Sequence, residues 1–313
     1  MLIVFGSINV DGVLTTERLP APGETIVGAG YAIYPGGKGA NQAVAAARYG
    51  ASVSMSGCVG CDANADFALS ALTSAGVDTE LVTRSDHTPT AYASVWVDAN
   101  GENQIIVASG ANYALEASAV PDITLGNAST VLLQLEIALE QNVALATRAH
   151  ASGARVVLNA APFSTVPDAL LAAVDVLVVN EIEARALGAA RRAELGSEPG
   201  DEHVAAKALA ERFGLTCILT LGARGAVAFA CDGERHISSL AVDVVDTTGA
   251  GDAFVGTLAA ALDEGAELDR ALQVAAAAGS LACTRLGAQS GLASRDEILA
   301  AQEHMPPVKR LGA

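Results

Sequence analysis

Basic residues are scarce in this chain: 18 Lys+Arg stand against 35 Asp+Glu, a formal charge of −17. That balance argues against nucleic acid or an anionic membrane as a partner, since either would be repelled by the surface field. An anionic substrate would have to be held by local N–H groups and a metal ion. Long apolar runs are also missing. None approaches the ~20 residues of a membrane span, and residues 2–5 are too short, and lack the basic flank, for a signal peptide. Cysteine is sparse and odd in number, at positions 58, 61, 217, 231 and 283, with no framework spacing, which suits a reducing compartment. A cytoplasmic protein is the expectation. Cys58-Val59-Gly60-Cys61 has the spacing of a redox or zinc pair, but no second Cys/His pair completes a zinc set, so two structural thiols are the simpler reading. Five scattered histidines give no support to a His-based triad or metal site.

What the chain does have is 51% hydrophobic content over 313 residues, enough for a large core in one α/β domain. Short apolar runs recur at residues 2–5, 53–57, 131–136, 156–159, 176–180 and 218–220, each closing on Gly or a polar residue. Between several of them lie helical stretches that stop at Gly50, Gly76, Gly153 and Gly214, the residue type expected just past a helix C-terminus. Apolar strands alternating with helices predict a mostly parallel sheet covered on both faces. Ligands of such sheets bind at the carboxyl ends of the strands, so Asp11, Glu136, Asn159, Asn180 and Asp252 are expected to meet along one edge. Residues 12–35 and 89–110 break the alternation and read as hairpins. They are expected to form a small sheet, either a cover over the ligand edge or a plain extension of it. The Ala-rich run 268–283 reads as small-residue packing, residues 189–202 as a charged surface excursion, and 305–313 as a loose tail.

The chain is organised around residues 244–256. A β-branched run from 237 to 245 predicts a strand entering a turn with two glycines, and an apolar helix is expected to leave that turn at about Ala253. The first turn of a helix carries unpaired N–H groups and the positive end of the dipole, which makes it a seat for an anion. Gly249 and Gly251 let backbone come close to a phosphoryl group. Asp252 beside such a seat is either a helix cap or a base acting on a hydroxyl; the second reading is a kinase. Gly36-Gly37-Lys38-Gly39-Ala40-Asn41-Gln42 is not a P-loop, because Lys38 is followed by Gly and the upstream glycine is missing. It reads as a ligand-approaching turn or as a structural one. Asn180 with Glu183 is a capping-box pattern, or, near a nucleotide, a Mg²⁺ contact through water. The stretch from Thr220 through Gly222 to Gly225 suits a turn under a nucleotide, or a tight turn alone.

With these residues laid out, the chain resembles the PfkB-type (ribokinase-family) carbohydrate kinases along nearly its whole length. The resemblance rests on Pro35-Gly36-Gly37-Lys38-Gly39-Ala40-Asn41-Gln42 and Asp246-Thr247-Thr248-Gly249-Ala250-Gly251-Asp252-Ala253-Phe254. Residues 6–11, Gln134-Leu135-Glu136, Asn180-Glu181-Ile182-Glu183 and Thr220-Leu221-Gly222 stand in the order and spacing that go with them. It implies an αβα sandwich with a β lid that often serves as a homodimer contact. It also implies ATP-dependent phosphorylation of ribose at its 5-hydroxyl, with Asp252 as base and Gly249, Ala250 and Gly251 as the anion hole. By matching positions, Asn9, Asp11, Gly37, Lys38, Gly39, Asn41, Glu136 and Asp252 face the sugar. Asn180, Thr220, Gly222, Gly225, Gly251 and Ala276 face ATP, and Glu183 the water shell of Mg²⁺. An activating monovalent cation, usually K⁺, is implied at Asp246 and Thr248 with the carbonyls of Ala282, Arg285, Gly287 and Gly291. Ala276, Cys61 and Gly291 depart from the family's usual residues. Two other functions fit the pattern less fully: another sugar or nucleoside kinase of the family, with Tyr34, Tyr92 and Trp96 as a base platform, and a sugar-binding sensor that would need neither Asp252 nor the glycine turn.

Overall fold

The computed structural model describes residues 1–191 and 201–311. β1 (Leu2–Phe5) lies inside a large sheet. The chain leaves that sheet as β2 (Asn9–Thr15) and β3 (Gly30–Gly36), then returns as β4 (Val53–Gly60) and β5 (Val82–Ser85). A second excursion, β6 (Ala91–Val97) and β7 (Asn103–Ala108), precedes β8 (Thr130–Leu133), β9 (Arg155–Asn159), β10 (Val176–Asn180) and β11 (Thr216–Thr220). β12 (Ala226–Ala230), β13 (Gly233–Ile237) and β14 (Lys309–Leu311) complete the strands. Ten of them form one sheet in the order β14-β13-β12-β11-β10-β9-β8-β1-β4-β5. It is parallel from β5 to β11 and antiparallel beyond.

Side-chain alternation explains why both faces are covered. Leu2 and Val4 point into one hydrophobic cluster, Ile3 and Phe5 into the other; Val176 and Val178 divide from Leu177 and Val179 in the same way. A strand apolar at every position has no face for water, so helices must cover both sides. One side carries the helices Lys38–Tyr49, Ala250–Asp263 and Leu268–Ala282; the other carries Leu139–Ala151, Glu181–Ala190 and Glu202–Phe213. Gly50 and Gly214 end their helices in the left-handed conformation, at φ 107° and 68°.

β3-β2-β6-β7 form a separate four-stranded sheet. Both expected hairpins are antiparallel pairs, the second turning at Gly101, whose N–H bonds to the Asp98 carbonyl at 3.0 Å. Asn9 and Asp11 therefore stand on the small sheet rather than at the edge of the large one. Register places Asp11 opposite Tyr34 and Ala93, with Val107 next in line.

Two expectations need correcting. Residues 238–245 are not a strand: β12 begins at Ala226, opposite Ile237, and β14 at Lys309, opposite His236, so no partner extends past Ile237 and the chain peels away. It is tied down instead by Leu240 N–H to Ser280 Oγ (3.0 Å) and Val245 N–H to the Cys283 carbonyl (2.8 Å), with Val244 and Val245 exposed. Nor is the C-terminal segment loose through residue 311. Lys309–Leu311 pairs with Glu234–His236, and Arg310 reaches Asp269 at 2.8 Å. The expected excursion at 189–202 lies largely outside the described residues.

Candidate active site

The helix Ala250–Asp263 starts three residues before the expected point, capped by Gly249 at φ 78°. A Cβ there would come within 2.8 Å of Ala288 Cα, so only glycine fits this turn. Ala250 N–H donates to the Thr247 carbonyl (3.2 Å) and Ala253 N–H to the Gly249 carbonyl (2.8 Å). The N–H groups of Gly249, Gly251 and Asp252 find no acceptor among the described residues. Over Gly251 an added Cβ would meet nothing within 4 Å. The helix therefore offers unpaired donors, backed by its dipole, to open space.

Asp252 is buried and does not cap its own helix. Its Oδ2 accepts from Asn41 Nδ2 at 3.0 Å and its Oδ1 from Gln42 Nε2 at 2.9 Å. Of the two readings of this residue, the cap is thereby excluded. Asn41 and Gln42 sit near the start of the helix Lys38–Tyr49, which packs against the Asp252 helix.

The turn before that helix serves structure and site together. Gly37, at φ 88°, is its N-cap, and a Cβ on Gly39 would lie 2.6 Å from the Ser7 amide nitrogen. This close seating brings Lys38 N–H within 2.9 Å of Glu136 Oε2, which also accepts from Ser7 Oγ at 2.6 Å. Ser7 Oγ in turn accepts from Gly39 N–H at 3.1 Å. Asn9 is fixed by Asn112, whose Nδ2 donates to Asn9 Oδ1 at 2.7 Å while its Oδ1 accepts from Ile8 N–H at 3.0 Å.

Charge is concentrated here. Burial, with Glu136 and Asp252 nearby, pushes the Asp11 carboxyl up to about 6. Burial pulls the Lys38 ammonium down, but Asp252, Glu136 and Glu183 together outweigh it, so Lys38 stays charged and its pKa ends above the usual value.

Asn180 and Glu183 form the full capping box: Glu183 N–H donates to Asn180 Oδ1 and Asn180 N–H to Glu183 Oε2, each at 2.9 Å. Oε1 makes no hydrogen bond among the described residues. Burial raises the Glu183 pKa, opposed by the Asn180 N–H and Lys38. Thr220 Oγ1 donates to the Val179 carbonyl at 3.3 Å, and Gly222 and Gly225 both take positive φ. At Gly225 a Cβ would meet the Ile237 carbonyl oxygen at 2.0 Å, which is a structural need for glycine. Ala276 is buried on the helix Leu268–Ala282, its carbonyl taken by Ser280 Oγ at 2.8 Å.

Asp246 ties two loops together, accepting from Thr248 N–H at 2.9 Å and Gly287 N–H at 2.8 Å. Burial raises its pKa, but these donors win and hold it below the usual carboxylate range. The carbonyl oxygens of Gly287, Ala282 and Arg285 crowd around Gly291, lying 2.8, 3.2 and 3.4 Å from where a Cβ on it would be, so this loop closes only on glycine. Among the described residues no group of three His, Cys, Asp or Glu side chains has metal-binding geometry. Cys58 and Cys61 are free thiols, the first buried and the second bonded to Asp86 at 3.3 Å.

The motifs led to most of this site but not to Ser7, Asn112 or Gln289. Ser7 lies inside a quoted motif, where Ser is too common in turns to stand out. Asn112 lies in the short 3-10 helix Gly110–Ala114 and Gln289 two residues after Gly287, and only the tertiary contacts reveal them. Gln289 Nε2 donates to Asn41 Oδ1 at 3.0 Å.

Comparison with known proteins shows the family and the fold. The model of the pfkB family carbohydrate kinases matches residues 1–295. A ribokinase of Haemophilus influenzae is 37% identical over 308 residues, covering 97% of this chain and 98% of its own. Among solved structures, a ribokinase from Thermotoga maritima superposes with a TM-score of 0.88 at 32% identity, covering 97% of this chain and 99% of its own. Arabidopsis thaliana ribokinase, complexed with ribose and ATP, gives 0.86 at 32% identity, covering 96% and 98%.

Proposed function

The chain belongs to the pfkB family of carbohydrate kinases, and from that premise we propose that it is an ATP-dependent sugar kinase that phosphorylates the 5-hydroxyl of D-ribose. The observation that carries this reading is the pairing of a buried, donor-held carboxylate, Asp252, with unpaired helix N–H groups one residue away. The carboxylate accepts the proton of the attacking hydroxyl. The unpaired N–H groups of Gly249, Gly251 and Asp252 hold the transferring phosphoryl group, where developing negative charge needs donors; Ala250, expected among them, gives its N–H to the Thr247 carbonyl at 3.2 Å. Asn9, Asp11, Asn41 and Glu136 position the sugar, backed by the backbone at Gly37, Lys38 and Gly39. The nucleotide lies along Asn180 and the turn from Thr220 to Gly225, next to Ala276.

Two ions fit the donors present. Glu183 keeps one carboxylate oxygen uncommitted, which suits a Mg²⁺ that retains its water shell and neutralises phosphate charge. The carbonyls of Ala282, Arg285 and Gly287, which gather around Gly291, together with the carbonyl of Gly291 itself suit a large monovalent cation such as K⁺. With Asp246 and Thr248 they would hold it beside the Gly249 turn, where its charge steadies the anion seat.

The small sheet is the lid. Asp11, Tyr34 and Val107 share the face toward the sugar, by register. The opposite face exposes Leu14, Tyr31, Ile33 and Ile106, and this apolar surface is the contact for a homodimer. Sedimentation of the wild type as a dimer and of Ile106→Lys as a monomer would support the contact; a monomeric wild type would remove it.

The deciding experiment is ADP release with ATP, Mg²⁺ and K⁺ against ribose, 2-deoxyribose, fructose, adenosine and inosine, repeated with Na⁺. Preference for ribose with K⁺ stimulation is expected. Preference for a nucleoside or hexose would overturn the substrate, and no turnover would leave a sugar-binding sensor.

A further inference from the structure

Two chains of carboxamides converge on the two oxygens of Asp252. In the first, Gln134 Nε2 donates to Gln42 Oε1 at 2.8 Å, and Gln42 Nε2 donates to Asp252 Oδ1 and, at 3.0 Å, to Asn159 Oδ1. In the second, Gln289 Nε2 donates to Asn41 Oδ1, and Asn41 Nδ2 to Asp252 Oδ2. Gln42 and Gln134 are both 0% exposed, so neither can touch a substrate.

The direction of each bond matters. An amide whose oxygen is taken by an upstream donor must turn its NH₂ toward the carboxylate. If Gln134 were reversed, Gln42 would follow and set its oxygen against Asp252 and Asn159, acceptor against acceptor. The room for Gln134 is itself provided: a Cβ on Gly6 would lie 1.9 Å from Gln134 Oε1, an oxygen with no partner. A buried, half-satisfied amide is costly, and here its orientation serves the residue two bonds away.

We propose that Gln42, oriented by Gln134, is a positioning residue for the base: it presents only N–H to Asp252 Oδ1 and fixes the carboxylate plane, so that the sugar hydroxyl meets an oxygen aimed along its O–H bond. Gln289 does the same for the other oxygen through Asn41. The proposal rests on the kinase reading above. It adds a residue that acts on the rate of transfer and not on sugar binding.

The test is a double-mutant cycle on the full chain. Gln42→Met keeps the length of the side chain and removes the donor. With ribose, it is expected to lower kcat by roughly 10- to 100-fold, the scale of losing a bond to a charged group, while sugar KM stays within about threefold. In an Asp252→Asn background the same change is expected to lower kcat by less than about threefold, because a residue that acts only through Asp252 loses its effect with it. Equal losses in both backgrounds, or a raised KM at unchanged kcat, would overturn the proposal. Should Gln42→Met fail to fold, by thermal unfolding, Gln134→Met, which removes the donor that orients Gln42, is carried through the same cycle with the same outcomes. Unimpaired turnover by Asp252→Asn would sink the kinase mechanism itself, a result distinct from failure at Gln42.

Discussion

Asp11 should destabilise the fold it serves. Its carboxyl is raised from 3.8 to about 6, first by burial and then by Glu136 and Asp252. At about 1.4 kcal/mol per pH unit, that shift corresponds to a cost of about 3 kcal/mol for holding Asp11 ionised in the folded protein. The folded state holds the proton more tightly than the unfolded chain. The stability this group contributes is therefore complete below pH 3.8 and is lost as pH rises through about 6. Asp11→Asn removes the titration and keeps the shape over Gly36, whose Cβ would stand 2.2 Å from Asp11 Oδ2. The variant is expected to gain on the wild type between pH 4 and 6.5, by about 2–3 kcal/mol, and to hold a constant lead above pH 7. Urea unfolding at half-unit steps of pH measures this. The same variant should bind ribose far more weakly, because an ionised acceptor has become a half-donor. A stability gap that does not change between pH 4 and 7, or a less stable variant at pH 8, would refute the argument.

Asp252→Asn is expected to leave sugar binding near wild type by calorimetry while lowering kcat by roughly 10²–10⁴, the usual contribution of a positioned base. Asp246→Ala cuts the tie between the 246–248 and 285–291 loops; the ratio of kcat in K⁺ to kcat in Na⁺ should fall to about one by the argument that an unfixed loop cannot hold the cation. Gly256→Ala would put a Cβ 2.4 Å from the Gln42 carbonyl oxygen and 2.8 Å from Ala45 Cβ. Overpacking of that kind costs about 1–3 kcal/mol, and both the urea midpoint and kcat should drop.

Legibility in the sequence followed from how local each signal was. The apolar runs around Val4, Val157 and Val178 declared a sheet buried on both faces, and the glycines at 50, 76, 153 and 214 marked helix ends because positive φ excludes most other residues. Asp252 and its glycines were legible because an anion seat needs backbone at a fixed spacing. The run 237–245 misled: β-branched content records fitness for a pleated surface, and whether a partner strand runs alongside is a tertiary fact; here β12 and β14 reach no further than Ile237 and His236. Lys309–Leu311 was missed for the converse reason, since three residues carry no period and pair only because β13 offered an edge. Asn112 and Gln289 act through contacts more than a hundred residues away in sequence, which no local pattern encodes.

The abundance of small residues around the site has a mechanical reason. Asn41 and Gln42 belong to one helix and Asp252 to another, yet their side chains meet at hydrogen-bond distance. Carboxamide side chains are short, so the helix axes must come closer than larger core residues would allow. Ala45 on one helix and Ala253 and Gly256 on the other provide that approach, and Gly279 on the next helix stands 3.2 Å, by its absent Cβ, from the Ala250 carbonyl oxygen. Ala45, Ala253 and Gly256 thereby set the distance between the base and the amides that aim it. A change that spreads these helices therefore acts on catalysis before it acts on the fold.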